Sequence, residues 1–334
     1  MRYILRSLTV IILGLCSATA MAQQVPMYSQ YVMNGFLINP SFAGRDGYTS
    51  VNLTVREQWV GMSGAPGTFA ASFQTRVLRN SYISKSTAVK KKIVQPTRSG
   101  RVGVGGYVFN DENGAMRRTG IQAAYAYHIP LGTTSGYPND FALGLSFSAY
   151  QFAVNTNGMI IDPDDPLLNS YDRRVFIPDF NFGASFTTAR YYAGIAMTNL
   201  FRGSLFFSSD TASNNRTELG NFFITGGMKV PVAVNWTLEP SGYIKASDML
   251  FKSIQMDLSA RMFYKENYWA GLSFRTANAF IVMAGLRYDR FYFAYASDFA
   301  LTDIRKANTL GTHEITLAVK FGESARRYKW ILPF

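Results

Sequence analysis

Cysteine is almost missing from this chain: one residue in 334, Cys16. It falls in a stretch that reads as a cleaved export signal, so the mature chain has no thiol, no disulfide and no cysteine-ligated metal. Histidine is nearly as scarce, with His128 and His313 only. Neither sits in a serine-hydrolase motif, and a hydrolase needs a base beside its nucleophile. Charged residues are 16% of the chain, against about 25% in soluble domains. Outside the N-terminus no run of about 18 apolar residues occurs, which excludes a bundle of membrane helices. Disorder is excluded as well, because 48% hydrophobic residues would drive collapse. What the chain has is aromatics (26 Phe, 20 Tyr, 4 Trp) and 28 Gly. Rich in Tyr, Phe and Gly, poor in charge and without long apolar runs, it fits an all-β transmembrane barrel of the outer membrane.

Residues 1–22 form the expected signal peptide: Arg2 and Arg6, an apolar stretch from Leu8 to Leu15, then Ala20-Met21-Ala22 as a small-x-small cleavage site. Leu15 before Cys16 is too large for a lipoprotein signal. The mature chain then starts at Gln23. Cleavage removes two arginines and no acid, which leaves 31 basic against 21 acidic residues. Such an excess suits an anionic membrane surface or an acidic protein, and export argues against nucleic acid as a partner. The positive charge is concentrated between Arg79 and Arg101, where Lys85, Lys90, Lys91, Lys92 and Arg98 also lie and no acid occurs. The segment reads either as a solvated loop or as a docking element.

Segments of period two recur from Tyr48 nearly to the end. In Phe141–Tyr150, Phe141, Leu143, Leu145, Phe147 and Ala149 take one face, and Ala142, Gly144, Ser146 and Ser148 the other. Residues 180–187, 254–262 and 314–321 repeat the pattern. About fourteen antiparallel strands are expected, near 48–58, 67–78, 101–110, 118–130, 140–152, 179–188, 190–200, 220–230, 233–245, 253–265, 267–276, 279–289, 291–298 and 311–321. Alternation alone does not separate a barrel from a soluble sandwich; export, strand length and terminal aromatics favour the barrel. Short turns are expected at Ala189, Val230–Pro231, Glu266 and Arg290, and long connections at 153–178, 201–219 and 299–310. The barrel rule puts short turns in the periplasm and long loops outside. The basic segment 79–100 then falls on the periplasmic side. Residues 23–47 lack a strand pattern and are expected as a periplasmic segment or a plug entering the lumen; 322–334 form a tail.

The parity that turns apolar side chains to lipid turns Arg56, Asp257, Arg261, Arg275, Arg287, Glu314 and Lys320 inward. Whether these charges line a pore or close it by pairing is left open by the sequence. His128 falls on the inward face, and His313 opens the last strand; packing is the expected role of both. The acids of Asp162-Pro-Asp-Asp165 could hold a cation but read better as turn formers. The glycines at 103, 105 and 106 lie in a strand with no following helix, so they read as small inner-wall residues rather than a phosphate cradle. No cofactor is implied.

Several blocks of the sequence carry a family pattern. The first is Pro26 to Gly44, with Tyr28-Ser-Gln-Tyr31, Asn34, Asn39-Pro40 and Ala43-Gly44. Next come Arg56, Gln58-Trp59, Gly61, Gly64-Ala-Pro66 and Thr68. Tyr125-Ala-Tyr127, Pro178-Asp-Phe-Asn181 and Gly311-Thr-His-Glu-Ile315 follow. From about residue 26 to 321 the chain resembles the PorP/SprF outer-membrane proteins of the Bacteroidetes type IX secretion and gliding machinery. The resemblance implies a non-enzymatic barrel in outer-membrane lipid that helps move or hold secreted cargo proteins and associates with periplasmic ring and motor proteins. Lys90, Lys91, Lys92 and Arg98 are the candidate contacts for such a partner, although segment 79–100 and the tail match no family pattern. The other readings are a passive porin or small-hydrophobe transporter, and a barrel enzyme.

Overall fold

The computed structural model describes residues 28–31, 33, 35–47, 49–77, 100–134, 137–154, 174–200, 220–246, 254–276, 279–301 and 310–321. Two short 3-10 turns, Gly35–Leu37 and Pro40–Phe42, precede the sheet. The strands are β1 (Thr49–Glu57), β2 (Gly67–Val77), β3 (Val102–Asn113), β4 (Met116–Thr134), β5 (Tyr137–Val154), β6 (Arg174–Thr187), β7 (Tyr191–Thr198), β8 (Asn221–Met228), β9 (Val230–Ala233), β10 (Trp236–Ala246), β11 (Ile254–Tyr264), β12 (Tyr268–Arg275), β13 (Ala279–Tyr288), β14 (Phe291–Ala300) and β15 (Thr312–Phe321). All pair antiparallel. β8 and β9 both pair with β10 and are halves of one interrupted strand, so the sheet has fourteen strand positions. β10 also pairs with β11, and β1 with β15 from Thr49↔Phe321 to Glu57↔His313. The last strand is thereby hydrogen-bonded to the first, which closes the barrel and leaves only the short β9 paired on one side.

The period-two pattern forms this sheet because successive side chains leave a strand on opposite faces. Burial alternates accordingly: Ser50, Asn52, Thr54 and Arg56 of β1 are buried, whereas Val51 and Val55 are exposed. The exposed set is the apolar one, with Phe69, Phe73, Leu143, Leu145, Phe147, Leu258, Leu272, Phe293 and Leu317 on the outside. That inverts a soluble protein and suits a hydrocarbon solvent. Aromatics ring both ends. Trp236 against Tyr264 (4.8 Å between centroids) and Phe186 against Tyr191 lie at one end; Phe274, Phe280 and Phe299 lie at the other.

Turns 188–190, 234–235, 265–267 and 289–290 share one end of the barrel with the start of β1 and the finish of β15. We call this the turn end. The connections 155–173, 199–220 and 301–311 share the opposite, loop end. One expected turn is corrected: it lies at Val234-Asn235, not Val230–Pro231. Pro231 sits in β9, which pairs only with β10. Proline has no N–H for a ladder and is tolerated on such an edge, while Asn235 takes the positive φ (67°) that the turn needs. β4 and β5 also run beyond their expected limits as one long hairpin. The basic residues Lys90, Lys91, Lys92 and Arg98, the acids 162–165 and the tail 322–334 lie outside the described residues.

Leu145 is about half exposed on the outer wall near the middle of β5. Leu145→Arg should destabilise the folded barrel by about 2–4 kcal/mol in a bilayer, and Leu145→Phe should be nearly neutral. Urea unfolding in lipid vesicles, read from the faster migration of the unboiled barrel, measures both.

Candidate functional site

The described residues of the segment 28–47 lie inside the barrel and touch most of its wall. Tyr31 stacks on Tyr243 of β10 at 5.0 Å, and its hydroxyl meets Ser241. Met33 packs against the apolar cluster of β11–β14 that contains Phe263, Trp269, Ile281 and Met283. Phe36 meets Tyr107 of β3 edge-on. The Asn39 amide donates to the carbonyls of Ala184 in β6 and Ile195 in β7, while its oxygen accepts from the Ser41 N–H and hydroxyl. That oxygen caps the Pro40–Phe42 turn. Gly44, at φ 66°, turns the chain past β2 and donates to Gln74.

The wall is cut to receive this segment. A Cβ on Gly103 would come within 1.9 Å of the Ala43 carbonyl oxygen, one on Gly144 within 2.2 Å of the Ser41 nitrogen, and one on Gly183 within 2.0 Å of the Asn39 side-chain oxygen. These three glycines belong to β3, β5 and β6. They are inner-wall residues, and glycine is required by the close approach of the segment's backbone at Gly103 and Gly144 and of the Asn39 side chain at Gly183.

Polar clusters fix the segment at both ends. At the loop end, the Glu314 carboxylate accepts the N–H groups of Ser29 (2.6 Å) and Gln30 (2.9 Å). Arg56 pairs with Glu314 (3.1 Å) and Asp298 (2.8 Å) and donates to the Ser29 hydroxyl, which donates in turn to Asp298. Asp298 reaches Arg275 (3.4 Å), and Arg275 pairs with Asp257 at 2.7 Å. Three carboxylates and two guanidiniums thus form one connected cluster, with Lys245 also buried on β10. At the turn end, the two His128 ring nitrogens face Asp140 (2.8 Å) and the Ala43 carbonyl (2.9 Å), and Arg76 pairs with Asp140. Arg45 lies over the rings of Phe42 and Tyr192, and Asp46 meets Lys320.

The inward-parity charges therefore go to different places. Arg56, Asp257, Arg275 and Glu314 come together. Arg261 stands apart, paired with Glu239 at 2.6 Å and lying over Phe263 and Trp269. Lys320 sits near the turn end. Arg287 is only half-buried at the rim beside Tyr292 and joins no cluster. His313 stacks on Tyr295 and bonds its hydroxyl at 2.6 Å. The sequence reading missed Asp298, Glu239, Asp140 and Arg76. The parity of their expected strands is the signal that could have found Glu239, Asp140 and Arg76, whereas Asp298 closes a strand expected to stop there. Contacts made by residues 28–47 had no periodic signal at all.

Breaking a buried ion pair leaves an uncompensated charge and costs about 3–5 kcal/mol. Glu314→Gln replaces one acceptor oxygen with an NH2 that faces N–H donors, and removes the charge opposite Arg56. Its barrel should unfold at markedly lower urea, by a shift of that size. Glu57→Gln, exposed on the outer face, should leave the midpoint unchanged.

With this geometry in place, comparison with known proteins assigns the chain. Among solved structures, Omp33 of Acinetobacter baumannii superposes with TM-score 0.41 at 7% identity, covering 82% of this chain and 97% of that one. A triple mutant of the Rhodopseudomonas blastica porin gives 0.33 at 9%, covering 82% and 99%. No curated protein matches. The model of the family described as type IX secretion system membrane protein PorP/SprF matches residues 20–319. The match spans the inner segment and all but the last two residues of the barrel, and the chain belongs to the PorP/SprF family of type IX secretion system outer-membrane proteins.

Proposed function

We propose that the protein is a closed docking platform of the type IX secretion machinery, which holds secreted or surface-attached cargo and periplasmic machine components without conducting solutes or catalysing a reaction. One observation carries this reading: the interior is occupied by the chain's own residues 28–47, with inward charges paired across it. A porin keeps a water-filled channel along its axis. Here Ser29, Asn39, Ser41 and Ala43 take up the inner-wall partners instead. In this reading residues 28–47 are a lumen plug, the assignment that the sequence left beside a periplasmic one.

A barrel that is not a conduit acts through its faces. The barrel rule turns the turn end to the periplasm and the long connections to the cell surface. The basic segment then leaves β2 at the periplasmic end. Six positive charges between Arg79 and Arg98 without an acid favour an acidic protein surface, mainly by speeding encounter. Individual exposed contacts contribute only about 0.2–1 kcal/mol, so single substitutions should be nearly silent.

Replacing Lys90, Lys91, Lys92 and Arg98 together with Gln should weaken recovery of periplasmic partners from crosslinked outer membranes, more so at low salt, and leave barrel assembly intact. Undiminished recovery at both low and high ionic strength would reject the docking role. Labelling of the segment from outside intact cells would reject the orientation.

A further inference from the structure

The segment before β1 does more than fill space, because its path has a direction. Ser29 and Gln30 are gripped by Arg56, Asp298 and Glu314. Arg56 is one residue from the loop-end limit of β1, and Asp298 and Glu314 are each two residues from the loop-end limits of β14 and β15. Further along, Asn39 bonds inside β6 and β7, and Ser41 lies against Gly144 of β5. Ala43 then lies against Gly103, at the turn-end start of β3, and Asp46 meets Lys320, one residue from the turn-end limit of β15. The chain enters β1 at Thr49, at that same end. Between residues 28 and 47 it has crossed the barrel from one rim to the other.

We infer that the described residues of 28–47 are a strap drawn through the lumen from the loop end to the turn end, so that the chain enters the barrel interior at the loop end, on the face opposite the ends of the barrel wall. Chain length supports this. With cleavage after Ala22, only five residues precede Tyr28. Fully extended they reach at most about 18 Å. Nine strand residues tilted as in a barrel rise roughly 20 Å, and the way back is filled by residues 31–47. The strap is anchored at both rims, by Glu314 with Arg56 at one and by His128 with Gln74 at the other.

The inference rests on the platform reading only for which face is outside, and one experiment separates the two. The mature chain lacks cysteine, so single cysteines report cleanly. Gln24→Cys, Asn113→Cys at the exposed loop end of β3 and Asn267→Cys at an exposed turn are treated with a membrane-impermeant maleimide on intact and on lysed cells. The retained heat-shift of each variant reports the folded barrel, and Val25→Cys stands in if Gln24→Cys does not assemble. Gln24→Cys should label with Asn113→Cys on intact cells, at least ten-fold above Asn267→Cys, which should label only after lysis. If Gln24→Cys follows Asn267→Cys, or reacts only after denaturation, the strap is wrong. If Gln24→Cys and Asn113→Cys both wait for lysis while Asn267→Cys labels on intact cells, the strap holds and the orientation falls.

Discussion

The carboxylate of Glu314 is the contact on which the rest of this molecule depends. It lies on the last strand, directly across the closing seam from Arg56 on the first. The same two oxygens take the N–H groups of Ser29 and Gln30. One buried group therefore joins the two edges of the wall and the segment inside it. Ionised side chains are costly to bury, and mutual attraction compensates only when further hydrogen bonds complete the set. Here Ser29 supplies them, donating to Asp298 while it accepts from Arg56. Without the segment, the carboxylate would face an empty interior with donors missing.

The other inward polar groups follow the same logic in smaller sets. Arg261 pairs with Glu239 directly across β10 and β11 and lies over two rings, an arrangement in which a weakly hydrated guanidinium is well held. His128 joins the wall to the segment through Asp140 and the Ala43 carbonyl. Between these points the fit is steric. Gly103, Gly144 and Gly183 leave room that any side chain would take from residues 39–43. A wall that is apolar outside and charged inside is common to barrels; the close fit to its own amino-terminal segment is the observation on which the closed-barrel proposal rests.

Much of the wall was legible in the sequence because its physics is local. Period two assigns each side chain to lipid or interior, and Leu145 beside Ser146 needs no distant partner to be read. The inward direction of Arg56, Asp257, Arg275 and Glu314 followed from the same parity. Their partners did not, because pairing depends on register and closure, which bring residue 56 beside residue 314. Asn39-Pro40 is legible only as a family mark; the role of Asn39 as a cap that also bonds β6 and β7 depends on strands some 150 positions away. The turn at Val234-Asn235 was misplaced because Pro231 is a turn former in most settings and here lies in a strand paired on one side only.

The central claim is that the lumen is filled by the chain itself, and conductance tests it most directly. Purified, heat-modifiable full-length protein reconstituted in a planar bilayer should give no ohmic current steps, whereas the variant lacking residues 28–46 should conduct. Steady single-channel currents from the folded full-length barrel, equal to those of the deletion, would contradict the account.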